Sequence, residues 1–144
     1  MKLPAPLAFI ARHLPEAPPA MALATALNFV RNKLWPEEDF SWLSGKTVRL
    51  AILDLDRGAT LAFDGMRFHP GNAPADVTFG ASLEDYLILM RRQEDPDTLF
   101  FQRRLMIEGD TEVGLALKNL LDATDFSPLF NLLPTPLANS LRTH

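Results

Sequence analysis

The sequence predicts a single α+β domain, in which helices pack against an antiparallel or mixed sheet. Two observations predict it. Apolar residues recur at helical spacing before residue 35 and after residue 82, whereas alternating apolar residues and turn signals fill the stretch from about 46 to 80. The predicted order is helix, several strands, helix, strand, helix, and a length of 144 residues is typical of one domain.

The first long helix is predicted from about Ala20 to Leu34, after a proline-rich start at residues 1–19. It ends before Pro36, because a proline disfavours helical backbone in the residue that precedes it. One face of this helix is apolar, since its larger aliphatic residues follow the helical period: Leu23, Leu27, Val30 and Leu34.

Residues 46–80 are predicted to form strands joined by turns. Apolar residues mark each strand at alternate positions: Val48, Leu50 and Ile52, then Ala59, Leu61 and Phe63, then Phe68, then Val77 and Phe79. The Asp64-Gly65 pair is a strong signal for a two-residue hairpin, and Pro70-Gly71 ends the return strand. These consecutive short strands predict an antiparallel meander.

A helix and a turn follow the meander. Ser82 is a suitable N-cap, and acidic residues in the first turn favour a helix start at this point. The apolar stripe of this helix is formed by Leu83, Tyr86, Leu87 and Met90. The segment Asp95-Pro96-Asp97 is then predicted to be a turn.

The last two predicted elements are a strand and a helix. The strand runs from Arg103 to Gly109, where Leu105 and Ile107 alternate with other residues. Asp110 or Thr111 then caps a helix through about residue 122. Its apolar residues are Val113, Leu117, Leu120 and Leu121.

Composition narrows the classes of function. The formal net charge is -4 and the pI about 5.3, whereas nucleic-acid binders usually carry a basic footprint. The absence of cysteine excludes disulfides, thiolate metal sites and cysteine nucleophiles within this chain. We therefore expect no cofactor, and we expect a cytoplasmic protein, with peripheral contact to the inner membrane left open.

The sequence lacks the residue patterns of common catalytic sites. The three histidines, His13, His69 and His144, are scattered and have no metal-ligand spacing. Asp54 and Asp56 are predicted to be turn acids rather than an acid–base pair. The serines lack the context of a nucleophile elbow. We therefore predict that the protein is not an enzyme.

The segment from Asp95 to Ala123 carries a family resemblance. It begins with Asp-Pro-Asp-Thr-Leu-Phe-Phe-Gln-Arg-Arg-Leu at residues 95–105 and continues through Ile107-Glu108-Gly109-Asp110-Thr111-Glu112. This block resembles the sterol carrier protein 2 (SCP2) domain, and more narrowly the UbiT family of accessory factors in bacterial ubiquinone biosynthesis. The general resemblance to SCP2 domains covers roughly residues 30–125.

The resemblance implies a fold and a function. The fold is an α/β sandwich, with an approximately five-stranded, mostly antiparallel sheet covered by helices around a hydrophobic cavity. The function is that of a non-catalytic factor that binds phospholipid, such as phosphatidic acid, or prenylated quinone intermediates, and presents them to partner enzymes. The implied partners are proteins of the UbiU–UbiV type, which hydroxylate the ring without oxygen.

The expected domain division is a proline-rich segment at 1–19, an SCP2-like lipid-binding domain at 20–125, and an apolar tail at 126–144. The tail is uncharged from 126 to 141 and is interpreted as a lid, a membrane or partner contact, or a wrap that completes the core. Residues 1–36 carry Lys2, Arg12, Arg31 and Lys33 against Glu16 alone, which suits transient contact with an anionic membrane. Packing on the sheet with these charges in water is the alternative.

The residues expected to line the cavity are apolar members of the predicted helices and strands and of the loop before the last strand. They are Leu27, Val30, Leu34, Leu50, Ile52, Leu61, Phe63, Phe68, Phe79, Leu87, Met90, Phe100, Phe101, Leu105, Leu117 and Leu121. Dense packing of the same side chains in a solid core is the alternative for each of them.

Arg103 and Arg104 are candidates for binding a lipid head group, since guanidinium groups form forked hydrogen bonds with phosphate. On a strand the two side chains point to opposite faces, so at most one reaches a given pocket. Ion pairing with nearby acids is the alternative, and the acids in question are Asp95, Asp97, Glu108 and Asp110. A protein-docking scaffold that holds no lipid is the alternative function.

Overall fold

One mixed sheet of five strands organises the structure, which is a computed structural model that describes residues 17–72 and 74–131. The strands are β1 (Thr47–Ile52), β2 (Arg57–Phe63), β3 (Phe68–Pro70), β4 (Val77–Ala81) and β5 (Met106–Gly109). The helices are α1 (Ala17–Leu34), α2 (Leu83–Met90), α3 (Pro96–Phe101), α4 (Thr111–Asp122) and α5 (Ser127–Phe130), with a 3-10 helix at Phe40–Leu43. The predicted α+β class and five-stranded sheet are confirmed.

The strand order β3-β2-β1-β4-β5 corrects one part of the sequence prediction. The pairs β1–β2, β2–β3 and β4–β5 are antiparallel, but β4 pairs in parallel with β1, from Val48 opposite Val77 to Ile52 opposite Ala81. The predicted antiparallel meander is therefore confirmed for β1, β2 and β3 and is wrong for β4. The Asp76 carboxylate accepts hydrogen bonds from the Thr47 amide (2.8 Å) and hydroxyl (3.1 Å), which joins the start of β4 to the start of β1.

The predicted hairpin lies between β2 and β3, shifted by one residue. The Asp64 amide donates to the Arg67 carbonyl (3.2 Å), so Gly65 and Met66 form the tip, and Gly65 adopts a φ of 99° that favours glycine. Asp64 Oδ1 accepts from the amides of Met66 and Arg67, both at 2.8 Å. These backbone hydrogen bonds, first that of Arg67 and then that of Met66, lower the Asp64 pKa to about 2, and His69 lowers it further.

Helix α1 packs along the edge strand β3. The Asn28 side chain donates to the Phe68 carbonyl (2.9 Å) and accepts from the Phe68 amide (2.8 Å), in the way that a neighbouring strand would. Arg31 donates to the Met66 carbonyl, and its guanidinium lies 4.9 Å from the centre of the Phe63 ring. These contacts fix α1 against β3.

Helix α3 replaces the turn predicted at Asp95-Pro96-Asp97. The Asp95 carboxylate accepts from the Thr98 amide (2.7 Å), and Pro96 occupies the first helical turn, where its missing amide has no cost. The chain reverses after this helix with Arg103 at a φ of 61°. As a result β5 begins only at Met106, three residues later than predicted.

The other predicted caps are confirmed. Ser82 Oγ accepts from the Asp85 amide (3.0 Å) at the start of α2, and Asp110 Oδ1 accepts from the Val113 amide (3.2 Å) at the start of α4. Both helices therefore begin where the sequence places them, and α1 begins three residues earlier than predicted.

Asn28→Ala should lower the free energy of unfolding by about 1–3 kcal/mol, because the Phe68 amide and carbonyl would lose their partners. Urea unfolding monitored by circular dichroism measures this change. Asn32→Ala, at an exposed position of the same helix, is the control and should change stability by about 0.5 kcal/mol or less. Equal effects of the two variants would contradict the role given to Asn28.

Acid should weaken the β2–β3 hairpin through Asp64. Its pKa is lower in the folded protein, about 2 against 3.8, so its contribution is present above pH 3.8 and is lost as the pH falls toward 2. The stability difference between the parent protein and Asp64→Asn should therefore shrink across this window in urea titrations. A difference that does not depend on pH would contradict this.

Candidate functional site

A cavity of about 400 Å³ lies between the sheet and the helices α1, α2, α4 and α5. Its volume falls within the range of about 300–1,000 Å³ that is usual for small-molecule sites. Strand β1 forms much of one wall, because Val48, Leu50 and Ile52 occupy alternate positions and share one face of the sheet. Hydrocarbon side chains dominate the wall throughout.

The structure brings ten of the sixteen predicted lining residues to this cavity. They come from α1, the four strands β1 to β4, and the helices α2 and α4: Leu27, Leu50, Ile52, Leu61, Phe63, Phe68, Phe79, Met90, Leu117 and Leu121. Most of them belong to a strand alternation or a helical stripe, which is the signal that marks them in the sequence.

The remaining six predicted residues lie outside the wall. Val30, Leu34, Leu87 and Leu105 are buried and pack in the solid part of the interior. Phe100 and Phe101 are exposed, the latter by 79%. They lie on the exposed side of α3, a helix where a loop was expected, while Leu99 of the same helix is buried.

Fifteen further residues line the cavity without having been predicted to do so. They are Pro19, Leu23, Trp35, Phe40, Leu43, Lys46, Val48, Ala59, Ala62, Leu83, Tyr86, Leu89, Leu120, Phe126 and Leu129. Several belong to the apolar stripes already noted in the sequence. No periodic signal covers 35–45, where Trp35 and Phe40 pack edge-to-face with ring centres 5.4 Å apart.

The few polar groups in the wall are nearly all occupied. The Tyr86 hydroxyl lies 2.9 Å from the Ala51 carbonyl oxygen and 3.1 Å from that of Phe79, and burial raises its pKa above the usual value. Trp35 Nε1 donates to Thr124 Oγ1 (2.8 Å). The Tyr86 phenol is therefore protonated at neutral pH, and both side chains have hydrogen-bond partners within the protein.

Lys46 is the remaining polar residue of the wall. Its Nζ lies 3.5 Å from Asp110 Oδ2, and its side chain is 39% exposed. The pKa of Asp110 is lowered, mainly by the hydrogen bond from the Val113 amide and also by the charge of Lys46. Asp110 therefore remains ionised at neutral pH. The cavity thus has one charged residue at its margin within the described parts of the chain.

The two arginines predicted to bind a head group lie away from the cavity. Arg104 pairs with Asp85 (2.6 Å) and Glu94 (3.0 Å), and these two partners raise its pKa. Ion pairing was the alternative for Arg104, but its partners differ from the acids that sequence proximity suggested. Arg103 is exposed beside it and does not line the wall.

The described part of the predicted tail contributes to the cavity. Phe126 and Leu129 lie in the wall, and Phe130 is buried. The segment 126–131 therefore completes the enclosure, while residues 132–144 and 1–16 lie outside the described residues. Among the residues that are described, no helix is long and apolar enough to cross a bilayer, and no group of three His, Asp or Glu side chains has the arrangement of a metal site.

The chain is similar to proteins of known family. Residues 23–122 match the SCP-2 sterol transfer family. The chain is 38% identical over 116 residues to the ubiquinone biosynthesis accessory factor UbiT of Escherichia coli (strain K12), which covers 80% of this chain and 67% of that protein.

Solved structures support the fold. A ubiquinone synthesis protein described as UbiJ-SCP2 superposes with a TM-score of 0.55 at 20% identity, over 70% of this chain and 94% of that one. A palmitated SCP2L2 protein from Aedes aegypti gives a TM-score of 0.51 at 14% identity, over 69% of this chain and 93% of that one. At these identities the likeness shows the fold alone.

Trp35 should report entry of an apolar molecule into the cavity, because it lines the wall and Trp42, the second tryptophan of the chain, does not. In a Trp42→Phe variant, addition of hexadecane should shift the fluorescence of the single remaining indole. In a Trp35→Phe variant the emission should stay nearly constant. A response confined to Trp42 would show that the molecule binds elsewhere.

Proposed function

The chain belongs to the SCP-2 sterol transfer family, and on this premise we propose that it is a lipid-binding accessory factor of ubiquinone biosynthesis, without catalysis of its own. The observation that carries the proposal is the apolar cavity of about 400 Å³ enclosed between sheet and helices. The name of the Escherichia coli relative supports the pathway. The occupied polar groups of the wall support binding rather than chemistry.

Burial of hydrocarbon supplies the binding energy. Each methylene removed from water gains about 0.8 kcal/mol, so a chain of about ten methylenes gains about 8 kcal/mol. A bilayer offers the same chain a similar gain. Transfer between membrane and cavity is therefore close to neutral, whereas passage through water is slow. The protein loads by contact with a membrane and delivers by contact with a partner.

The proposed cargo is a phospholipid or a prenylated quinone precursor, since both carry long hydrocarbon chains. The proposed recipients are hydroxylating partners of the UbiU–UbiV type. On the outer side of α1, Met21 is 58% and Phe29 is 75% exposed, and the exposed Lys33 lies one turn after Phe29. Exposed apolar side chains on the same helix as an exposed basic group suit transient contact with an anionic membrane surface from the cytoplasmic side.

One observation favours the scaffold function as a second candidate. Phe100 and Phe101 form an exposed aromatic pair on α3, with ring centres 5.8 Å apart. Exposed aromatic side chains are enriched in protein interfaces. A scaffold without lipid requires this pair for partner binding and has no need of an open cavity. The two functions therefore predict different effects of filling the cavity.

Leu117→Trp should abolish lipid uptake, because the larger side chain projects from α4 into the cavity. Lipid bound per protein, measured by native mass spectrometry and by extraction after purification, should fall to a small fraction of the parent value. Overpacking should cost about 1–3 kcal/mol, so circular dichroism must show that the variant is folded.

Leu115→Trp is the matched control, since Leu115 lies on the same helix but is 50% exposed and outside the wall. It should leave lipid uptake unchanged. A parent protein that purifies without lipid and takes up neither phospholipid nor quinone would overturn the proposed function in favour of the scaffold.

A further inference from the structure

Lys46 differs from every other residue that lines the cavity in the described parts of the chain, because it alone carries a charge. It directly precedes β1 and continues the alternation of Val48, Leu50 and Ile52. Its side chain therefore leaves the backbone on the cavity side of the sheet. Ile52 lies six positions after Lys46, so this row extends along the wall for about 20 Å.

The backbone of Lys46 is fixed at this margin. Its amide donates to the Leu43 carbonyl (3.0 Å), and its carbonyl accepts from the Phe63 amide (3.2 Å). Leu43 and Phe63 both line the cavity. The base of the lysine side chain is thus held between two wall residues, and its methylene groups join the apolar lining in the manner of other amphipathic side chains.

The ammonium group lies where the apolar wall ends. It is 3.5 Å from Asp110 Oδ2, beyond the usual limit of about 3.2 Å for a hydrogen bond of this type. Asp110 does not line the cavity, and its other oxygen caps α4. An ammonium group carries three donors, and this loose ion pair leaves donors that a ligand can use.

The other polar side chains of the wall cannot take this role. The Tyr86 hydroxyl is directed to the carbonyls of Ala51 and Phe79, and the Trp35 indole donates to Thr124. Lys46 is therefore the donor that remains for a ligand at the cavity margin, among the residues that the structure describes.

We propose that Lys46 is the head-group residue of the cavity: the hydrocarbon chain of the lipid lies along β1, and an oxygen of its head group accepts a hydrogen bond from the Lys46 ammonium. The inference rests on the proposed lipid-binding function and adds an orientation to it. The shared chemistry of the ligand is an acceptor oxygen next to a long apolar chain. A phosphate or a quinone carbonyl supplies such an oxygen.

The Asp110 carboxylate should affect the binding of a phosphate and of a quinone carbonyl differently. A neutral carbonyl can accept from Lys46 while the ion pair stays intact. A phosphate brings a full negative charge close to the Asp110 carboxylate and must compete with it for the ammonium.

The test uses three ligands with the same chain and different ends: hexadecyl phosphate, a hexadecyl-substituted benzoquinone and hexadecane. Lys46→Met keeps the length and apolar stem but removes the ammonium. It should weaken binding of at least one oxygen-bearing ligand by about 10-fold or more, because a hydrogen bond to a charged donor is lost. Binding of hexadecane should stay unchanged. Lys46→Arg should retain most of the affinity.

Arg67→Met is the matched control, since Arg67 is an exposed cationic residue of the β2–β3 hairpin and does not line the cavity. It should leave all three affinities unchanged. If the parent protein binds hexadecane and Lys46→Met binds every ligand as the parent does, the assignment of Lys46 is overturned while the proposed function stands. If the parent protein binds none of the three, the proposed function itself fails.

Asp110→Asn identifies the source of the head-group oxygen, because asparagine also caps helices but carries no charge. A rise in affinity for hexadecyl phosphate alone supports an anionic head group at Lys46. Unchanged affinity for the quinone, together with its loss in Lys46→Met, supports a neutral carbonyl. A fall in affinity for hexadecyl phosphate in Asp110→Asn would contradict the proposed competition between this carboxylate and a phosphate for the Lys46 ammonium.

Discussion

The structure depends on keeping an apolar space open between a sheet and the helices that cover it. Side chains that face a void lose dispersion contacts, and stability falls in proportion to the volume left empty. Hydrogen bonds at the perimeter hold the walls in place. Asn28 joins α1 to the edge strand, Trp35 donates to Thr124 after α4, and Arg92 donates to the Thr124 carbonyl (2.9 Å). These contacts tie α1 to the edge strand, and they tie the end of α4 to the segments that follow α1 and α2.

Much of the fold follows from local physical chemistry. The alternation in β1 and β2, the stripe of α4 and the caps at Ser82 and Asp110 agree between sequence and structure, because each depends on residues within one element. The partner of β4 depends on the hydrogen bonds of Asp76 with a residue 29 positions earlier, which no local pattern contains. The turn prediction at Asp95 failed for a different reason, since Asp-Pro is compatible with both a turn and the start of a helix.

The cavity is harder to predict than the elements that enclose it. Leu50, Leu61 and Phe79 would show the same alternation if they packed in a solid core, so periodicity finds the wall but not the empty volume. Arg103 and Arg104 are head-group candidates in the sequence because guanidinium groups can bind phosphate. The distance of Arg104 from the cavity follows from α3 and from its pairing with Asp85 and Glu94, which are tertiary features.

Helix α5 bears on how the cavity can open to solvent. It closes part of the wall with Phe126 and Leu129, yet the hydrogen bonds that form it are local, such as those from the Ser127 amide and hydroxyl to Asp125 Oδ1 (3.0 and 2.8 Å). Displacement of this short helix would expose apolar surface without breaking the ladder of the sheet. Access to the cavity and resistance to global denaturation therefore depend on different sets of contacts.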